Sequence, residues 1–123
     1  GHVDFEVRLK LDDANELVAV ITRESAETLG LAIGMEISAL VKSSSVLLLT
    51  DANVRTTARN HLWGEITRIH DGPVNSEITL ALPGGRSVCA VVTHDSVEKL
   101  GLTVGEPACA VFKASAVILC LYA

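Results

Sequence analysis

The chain has 123 residues, a formal net charge of −5 and a sequence pI near 5.2. An acidic chain with one Trp, one Tyr and two Phe has neither the Lys and Arg surface that displaces counterions from phosphates nor the aromatic platforms on which bases stack, which argues against nucleic-acid binding by this segment. Its apolar runs fall short of the about 18 residues that a membrane span requires, and no signal peptide opens the sequence, so a cytoplasmic protein without a membrane partner is expected.

The three cysteines, Cys89, Cys109 and Cys120, form no CxxC pair and have no zinc-finger spacing. All three fall in apolar stretches, where Cys packs as a small hydrophobic side chain, so buried structural roles are expected. An odd, unpatterned set is typical of a reducing compartment. The four histidines do not cluster either, so no metal ion is expected to be coordinated directly by side chains.

An internal repeat divides the chain. Residues 1–50 align with residues 72–121 without a gap, and nineteen of the fifty aligned positions are identical. Such self-similarity indicates two copies of one structural unit, each too small to bury a large core by itself. The predicted organisation is a first copy at 1–50, a polar linker at 51–56 and a second copy at 57–123.

Each copy predicts two strands joined by a turn. Phe5–Leu11 alternates apolar and polar residues, and Ser76–Leu82 repeats this period-2 pattern of a half-buried strand in weaker form. After turn-forming residues, apolar segments rich in Val predict the second strands at Leu17–Ile21 and Val88–Val92.

A short helix and a divided strand complete each copy. Ser25–Leu29 and Ser96–Leu100 are long enough for about two helical turns, and a glycine follows each as a stop signal. The apolar segments Ile37–Leu49 and Ala108–Leu121 are each interrupted by a Lys-x-Ser sequence. Such a polar interruption predicts two strand pieces joined by a bend that faces solvent or a ligand.

Thr57–Ile69 predicts a strand that opens the second copy, and nothing before Gly1 matches it. The first copy is therefore expected to lack its opening strand, which was removed, is disordered or comes from another chain. The predicted fold is mainly β, with two tandem small OB-like β-barrel subdomains that each contain one short helix and either keep or exchange strands.

Four motifs of the second copy occur in an order known from one family. They are Thr57-Ala58-Arg59-Asn60 with Leu62 and Gly64, Gly72-Pro73-Val74-Asn75 with Glu77, Thr93 and Ser96 with Leu100-Gly101-Leu102, and Lys113-Ala114-Ser115. This pattern resembles the Mop family of molybdate- and tungstate-binding domains, also called TOBE-type domains. Because the last three motifs recur in the first copy, the chain is similar to the tandem di-Mop arrangement.

The resemblance implies a cytoplasmic protein that binds molybdate or tungstate for molybdenum storage or homeostasis and is not an enzyme. An alternative is the ligand-sensing C-terminal domain of a molybdate-responsive transcription regulator. A third possibility is an OB-like module that only mediates protein contacts. The resemblance also implies a homo-oligomer, a trimer before a dimer, with sites between subunits or subdomains.

Molybdate is a tetrahedral dianion with four acceptor oxygens, so it requires hydroxyl, N–H and cationic donors from several directions. The resemblance implies an oxyanion site formed by Thr57, Arg59, Thr93, Ser96, Lys113 and Ser115, with related sites formed by Thr22, Ser25, Lys42 and Ser44. Asn75 is a candidate for a second class of anion site.

Each candidate also has a simpler structural role. Thr22 and Thr93 are suited to cap helices, and a capping hydroxyl can coexist with anion binding because different N–H groups are used. Lys42 and Lys113 are suited to protect strand edges from unwanted pairing. Arg59 is suited either to an acidic surface partner or to two parallel N–H bonds with an oxyanion.

Overall fold

The computed structural model describes residues 4–122 and has nine strands and two short helices in that part of the chain. In chain order they are β1 (Asp4–Lys10), β2 (Glu16–Thr22), α1 (Arg23–Leu29), β3 (Ser38–Val41), β4 (Leu47–Leu49), β5 (Asn60–His70), β6 (Asn75–Ala81), β7 (Ser87–Thr93), α2 (His94–Leu100), β8 (Pro107–Phe112) and β9 (Val117–Cys120). A first 3-10 turn (Ser43–Ser45) joins β3 to β4, and a second (Ala114–Ala116) joins β8 to β9. The mainly β, OB-like class predicted from the sequence is confirmed.

Both helices end where their sequences predict but begin two residues earlier than predicted, at Arg23 and His94, directly after their capping threonines. Thr22 and Thr93 precede α1 and α2 with extended backbones, and each side-chain oxygen accepts a hydrogen bond at 3.1 Å from the backbone N–H three residues later. Gly30 and Gly101 follow the helices with φ angles of 63° and 64°. This left-handed backbone carries no Cβ penalty for glycine, so it ends each helix after two turns.

The longest strand, β5, joins the other strands of the second copy into one sheet. Its first half pairs antiparallel with β8 and its second half with β6, and Glu65 takes part in both ladders. A bulge between Ile66 and Arg68 bends the strand. A Cβ at Gly64 would lie 2.5 Å from the Ala81 carbonyl oxygen, so this position requires glycine. The result is a five-stranded sheet in the order β4-β8-β5-β6-β7.

The two copies exchange strands. β4 of the first copy pairs antiparallel with β8 of the second, with Leu47 opposite Val111. β3 of the first copy pairs in the same way with β9 of the second, with Val41 opposite Val117. Neither sequence copy therefore folds around its own strands alone.

The predicted barrels do not close. β1 and β2 form one two-stranded sheet and β3 and β9 form another, because no strand within residues 4–122 joins β1 to β3 as β5 joins β6 to β8. β4 also contacts β7, and β9 contacts β2, but neither pair forms a ladder of backbone hydrogen bonds. The described part of the chain is thus a curved five-stranded sheet next to two strand pairs.

The opening strand of the second copy is shorter at its start than predicted. The sequence predicted a strand over Thr57–Ile69, whereas β5 begins at Asn60. The Thr56 hydroxyl accepts a hydrogen bond from the Ala58 N–H at 3.1 Å and lies 2.9 Å from His61 Nε2. This local turn competes with extended strand pairing, so β5 begins only at Asn60.

One core runs through both copies. Ile66, Ile78 and Leu80 of the second copy are almost fully buried and pack in the same cluster as Ala19 of the first. A shared core explains how two small units are stable together.

Burial differs among the cysteines. Cys109 is buried, which raises the pKa of its thiol, and Cys120 is half-buried. The prediction of a buried Cys89 is wrong, because β7 is an edge strand and leaves this residue exposed.

No helix in the described residues is long and apolar enough to cross a membrane.

Candidate functional site

Arg59 and Lys113 come together where β5 meets β8. Asn60 opens β5 opposite Phe112, the last residue of β8, so Arg59 and Lys113 flank this pair on adjacent strands. Two positive side chains from distant parts of the sequence thereby share one end of the sheet. Ser115 follows in the second 3-10 turn.

Asn60 fixes this end of the sheet to the first copy. Its buried side chain accepts a hydrogen bond from the Val18 N–H and donates one to the Val18 carbonyl, both at 2.8 Å. Val18 lies in β2, so one amide satisfies both backbone groups of a strand in the other copy. The orientation of Arg59 therefore depends on contact between the copies.

Arg59 already has an acidic partner in this structure. Its guanidinium forms a short ion pair with the Glu6 carboxylate of β1, and both side chains are partly exposed. The hydrogen bond from Arg59 lowers the pKa of the Glu6 carboxyl, so this carboxylate stays ionised at neutral pH. An oxyanion at Arg59 has to share or displace Glu6.

The two Lys-x-Ser sequences lie against opposite copies. The first 3-10 turn, which follows Lys42 and contains Ser44, lies against β7 of the second copy. The second, which follows Lys113 and contains Ser115, lies against β2 of the first. Both lysines and both serines are exposed, and neither lysine forms an ion pair within residues 4–122. Their ammonium groups are available to a solvent-borne anion.

Hydroxyl pairs mark both helix starts. The Oγ atoms of Thr93 and Ser96 are 2.7 Å apart, and those of Thr22 and Ser25 are 3.0 Å apart. Each Thr oxygen also caps its helix. The capping role considered for both threonines is confirmed, and the two copies build it in the same way.

The predicted site residues separate into two groups within one chain. Thr57, Arg59, Lys113 and Ser115, here called the lysine group, lie at or near the start of β5. Thr93, Ser96 and Asn75, the cap group, lie near its other end, since Asn75 pairs with Thr93 and the next strand residues pair towards His70. Ten residues of straight extended strand span about 33 Å. The bend in β5 shortens the distance between the lysine group and the cap group but does not bring them together.

The structure adds an ionic cluster beside the cap group. His94 Nδ1 lies 2.8 Å from Asp71 Oδ1, and His94 Nε2 lies 3.2 Å from Glu98 Oε1. The hydrogen bond with Asp71 raises the pKa of His94, while hydrogen bonds from Ser76 and His94 lower the pKa of Asp71. The cluster places next to Thr93 an imidazole whose protonated form is stabilised by Asp71.

The sequence interpretation missed the roles of Asn60, Glu6 and Asp71. Asn60 belongs to the Thr-Ala-Arg-Asn motif, and a motif asparagine before an apolar strand signals a buried amide that needs backbone partners. Glu6 and Asp71 carry no comparable local signal, because Arg59 and His94, which they contact in the site, are 53 and 23 residues away. In the described residues, no group of three or more His, Cys, Asp or Glu side chains is arranged to hold a metal ion.

A family model for the TOBE domain matches residues 1–48 and again residues 56–119. The chain belongs to the TOBE-domain family. The two matched segments are tandem TOBE repeats, which is the di-Mop arrangement indicated by the sequence motifs.

Two curated relatives show how closely the TOBE repeats are shared. The chain is 62% identical to the molybdenum transport protein ModE of Azotobacter vinelandii, over 99% of this chain and 45% of that protein. It is 48% identical to the molybdenum-pterin-binding protein MopA of Rhodobacter capsulatus, over 98% of this chain and 46% of that protein. The chain therefore spans just under half the length of these relatives.

A solved structure covers the tandem TOBE repeats as a whole. The cytoplasmic molybdate-binding protein ModG, with molybdate bound, superimposes with a TM-score of 0.92 at 47% sequence identity. The match covers 99% of this chain and 87% of the ModG chain. The two repeats of this chain are thus placed relative to each other as in the ModG structure.

Proposed function

We propose that this chain binds molybdate or tungstate reversibly and serves molybdenum storage or homeostasis in the cytoplasm. The observation that carries the proposal is the similarity to molybdate-bound ModG over nearly the whole chain, at an identity where side chains as well as fold are shared. The exposed hydroxyl and lysine groups add the donors that a tetrahedral dianion requires. Binding rather than catalysis is the activity.

The oxyanion lies between chains, where the lysine group of one chain meets the cap group of another. This arrangement is supported by the separation of Lys113 and Ser115 from Thr93 and Ser96 along β5 within one chain. Thr22, Ser25, Lys42 and Ser44 provide the corresponding groups of the first repeat. Asn75 lies opposite Thr93 within the cap group but is assigned to a second class of site, so Thr93 and Ser96 are the cap-group residues that contact the main oxyanion.

An exposed apolar patch supports self-association. Leu40 and Ile118 lie directly opposite each other on β3 and β9, and both are more than half exposed, as is Leu47 on β4. Burying such a patch against other chains is favourable, and the proposed assembly is a trimer. Native mass measurement is expected to give three times the mass of one chain, whereas a monomer with full molybdate binding would contradict sites between chains.

Calorimetric titration with molybdate, tungstate and sulfate tests the ligand. We expect molybdate and tungstate to bind and sulfate to bind more weakly. Lys113→Ala and Arg59→Ala should each weaken molybdate binding by roughly tenfold or more, because a charged hydrogen bond contributes about 1.5 to 3 kcal/mol. Lys10→Ala, which removes an exposed lysine paired with Asp13, is the matched control. Unchanged affinity in both site variants would refute the site assignment.

Mixing inactive chains tests where the sites lie. Lys113→Ala chains and Ser96→Ala chains are combined, unfolded and refolded together, and titrated with molybdate. Sites between chains predict that some tight binding returns in mixed assemblies, because one interface then combines an intact lysine group with an intact cap group. Sites within single chains predict no return.

A second candidate is the ligand-sensing part of a transcription regulator. It is favoured by the 62% identity to ModE over less than half of that protein. Intact mass and N-terminal sequencing of the protein isolated from its source distinguish the two roles. A longer polypeptide that binds DNA with molybdate-dependent affinity would establish the regulator, and a chain of this length alone would favour storage.

A further inference from the structure

Residues of the first copy hold Arg59, which belongs to the lysine group of the second copy. The Nη2 group of Arg59 donates a hydrogen bond to Oε1 of Glu6 on β1, and the two side chains form an ion pair. The next residue, Asn60, is bonded to both backbone groups of Val18 on β2. The guanidinium of Arg59 and the backbone beside it are therefore attached to two adjacent strands of the other copy.

Glu6 divides its two carboxylate oxygens between two arginines. Oε1 accepts the hydrogen bond from Arg59, whereas Oε2 lies 3.7 Å from Nη2 of Arg8, two residues along the same face of β1. Arg8 lies opposite Val18 in the ladder between β1 and β2, and its Nη1 lies 3.6 Å from Oε2 of Glu16. Glu6 is thus oriented by charges of the first copy as well as by Arg59.

The contact with Glu6 leaves one edge of the guanidinium free. A guanidinium carries five N–H donors in a planar fork, and its Nη2 group has one hydrogen on each of two edges. Glu6 accepts from Nη2 alone, and within residues 4–122 the Nε and Nη1 groups of Arg59 donate to no protein group. The remaining edge therefore offers the two parallel N–H bonds that suit an oxyanion, while Glu6 keeps its own bond.

We propose that Glu6 is a positioning residue for oxyanion binding, which holds Arg59 so that the free edge of its guanidinium faces an anion bound by the lysine group. This inference rests on the proposed binding of molybdate or tungstate. Glu6 acts through Arg59 and does not contact the anion. The Arg59 side chain is 49% exposed, so without a partner it would occupy several rotamers that binding must then order. Glu6 removes part of this entropy cost in advance.

The negative charge of Glu6 repels a dianion, but the charges around it limit this repulsion. The hydrogen bond from Arg59 lowers the pKa of the Glu6 carboxyl, so at neutral pH Glu6 is ionised and paired with the guanidinium. Arg8 offsets the same carboxylate from its other oxygen. Lys113 adds a positive charge that has no acidic partner within residues 4–122. Positive side chains therefore outnumber Glu6 at this end of the sheet.

A double-mutant cycle, measured by calorimetric titration of the intact chain with molybdate near neutral pH, tests the positioning role. Glu6→Ala should weaken binding about fivefold, because binding must then order a long side chain. Glu6→Gln, whose amide oxygen still accepts from Arg59, should keep the affinity within about twofold of the wild-type value. In chains that carry Arg59→Ala, adding Glu6→Ala should cause no further loss. Asp13→Ala, which removes an exposed carboxylate paired with Lys10, is the matched control and should leave the affinity unchanged.

Three results would overturn the positioning role and leave the oxyanion site at Arg59 in place. Unchanged affinity in Glu6→Ala, beside a loss in Arg59→Ala, would show that Arg59 needs no support. Tighter binding in Glu6→Ala would show that Glu6 competes with the anion for the guanidinium. A further loss when Glu6→Ala is added to Arg59→Ala would show that Glu6 acts on the fold. Unchanged affinity in Arg59→Ala would instead refute the proposed site itself, and the role of Glu6 with it.

Discussion

The two TOBE repeats have nearly the same sequence pattern but different burial. Leu102 is buried after α2, whereas its counterpart Leu31 after α1 is only half-buried. Every residue from Ala108 to Phe112 is buried, whereas none of the counterparts from Ile37 to Val41 is. The difference follows from β5, which covers the second repeat, whereas no strand within residues 4–122 covers the first repeat in the same way. The sequence of a repeat thus specifies its local elements, but the burial of those elements depends on a covering strand such as β5.

Removing one matched leucine from each repeat is the strongest test of this difference. Leu80→Ala leaves a cavity under β5 and is expected to lower the free energy of unfolding by about 3 to 5 kcal/mol. Leu9→Ala, at the counterpart beside the cavity of about 970 Å³ between β1 and residues 31–38, is expected to cost about 2 kcal/mol because the site can relax. Urea unfolding at fixed protein concentration measures both losses, and equal losses would show that this cavity does not loosen the first repeat.

Asn60 tests the contact between the repeats. Asn60→Ala leaves the buried N–H and carbonyl of Val18 without partners, so we expect a loss of about 2 to 3 kcal/mol in unfolding free energy. Asn53→Ala in the exposed linker is the control and should change stability by less than about 0.5 kcal/mol. A loss no larger than that of the control would mean that water replaces the amide.

The helix caps are where the repeats should behave alike. Thr22→Ala and Thr93→Ala each remove the acceptor of a helix N–H, with an expected cost of about 1 kcal/mol each. Thr→Ser at either position should retain most of the stability. Costs that differ strongly between the two positions in urea unfolding would show that Thr93 depends on its ionic neighbours.

The smallest expected effect comes from His94, which only the second repeat has. Asp71 raises the folded-state pKa of His94, so this interaction stabilises the fold fully below the unfolded pKa of about 6.5 and is lost as pH rises through the raised pKa. The Tm of the wild-type chain should therefore decline as pH rises through this window. The decline should be smaller than the loss of Tm caused by removing one helix cap. His94→Arg, which introduces the residue of the first repeat, should remove the decline; His70→Gln is the control.

Much of the fold was accessible from the sequence because it depends on local physics. Alternation of apolar residues predicted β1 and β6, and Val-rich apolar segments after turns predicted β2 and β7. A hydroxyl followed by a helix and a glycine predicted both helices with their caps. The two Lys-x-Ser interruptions predicted bends, which the structure forms as 3-10 turns. The start of β5 was predicted three residues too early, because the turn at Thr56 is a side-chain effect that periodicity does not record.

The candidate site was accessible only in part. The sequence indicated which hydroxyl and cationic residues are suited to an oxyanion, since those residue types recur at the same places in both repeats. It did not indicate that Arg59 meets Glu6 or that Asn60 bonds Val18, because these partners are 53 and 42 residues apart. Nor did it separate the lysine group from the cap group.

By itself, the sequence determined the repeat, the order of strands and helices, the caps and the set of candidate donor side chains, because each depends on residues close in the chain. Only the tertiary structure decided that β3 and β4 pair with β9 and β8, that no strand of residues 4–122 covers the first repeat beside β1, and which candidate donors share an end of the sheet. Strand pairing is set by backbone hydrogen bonds and shared burial between distant segments, and two similar repeats offer each strand two similar partners.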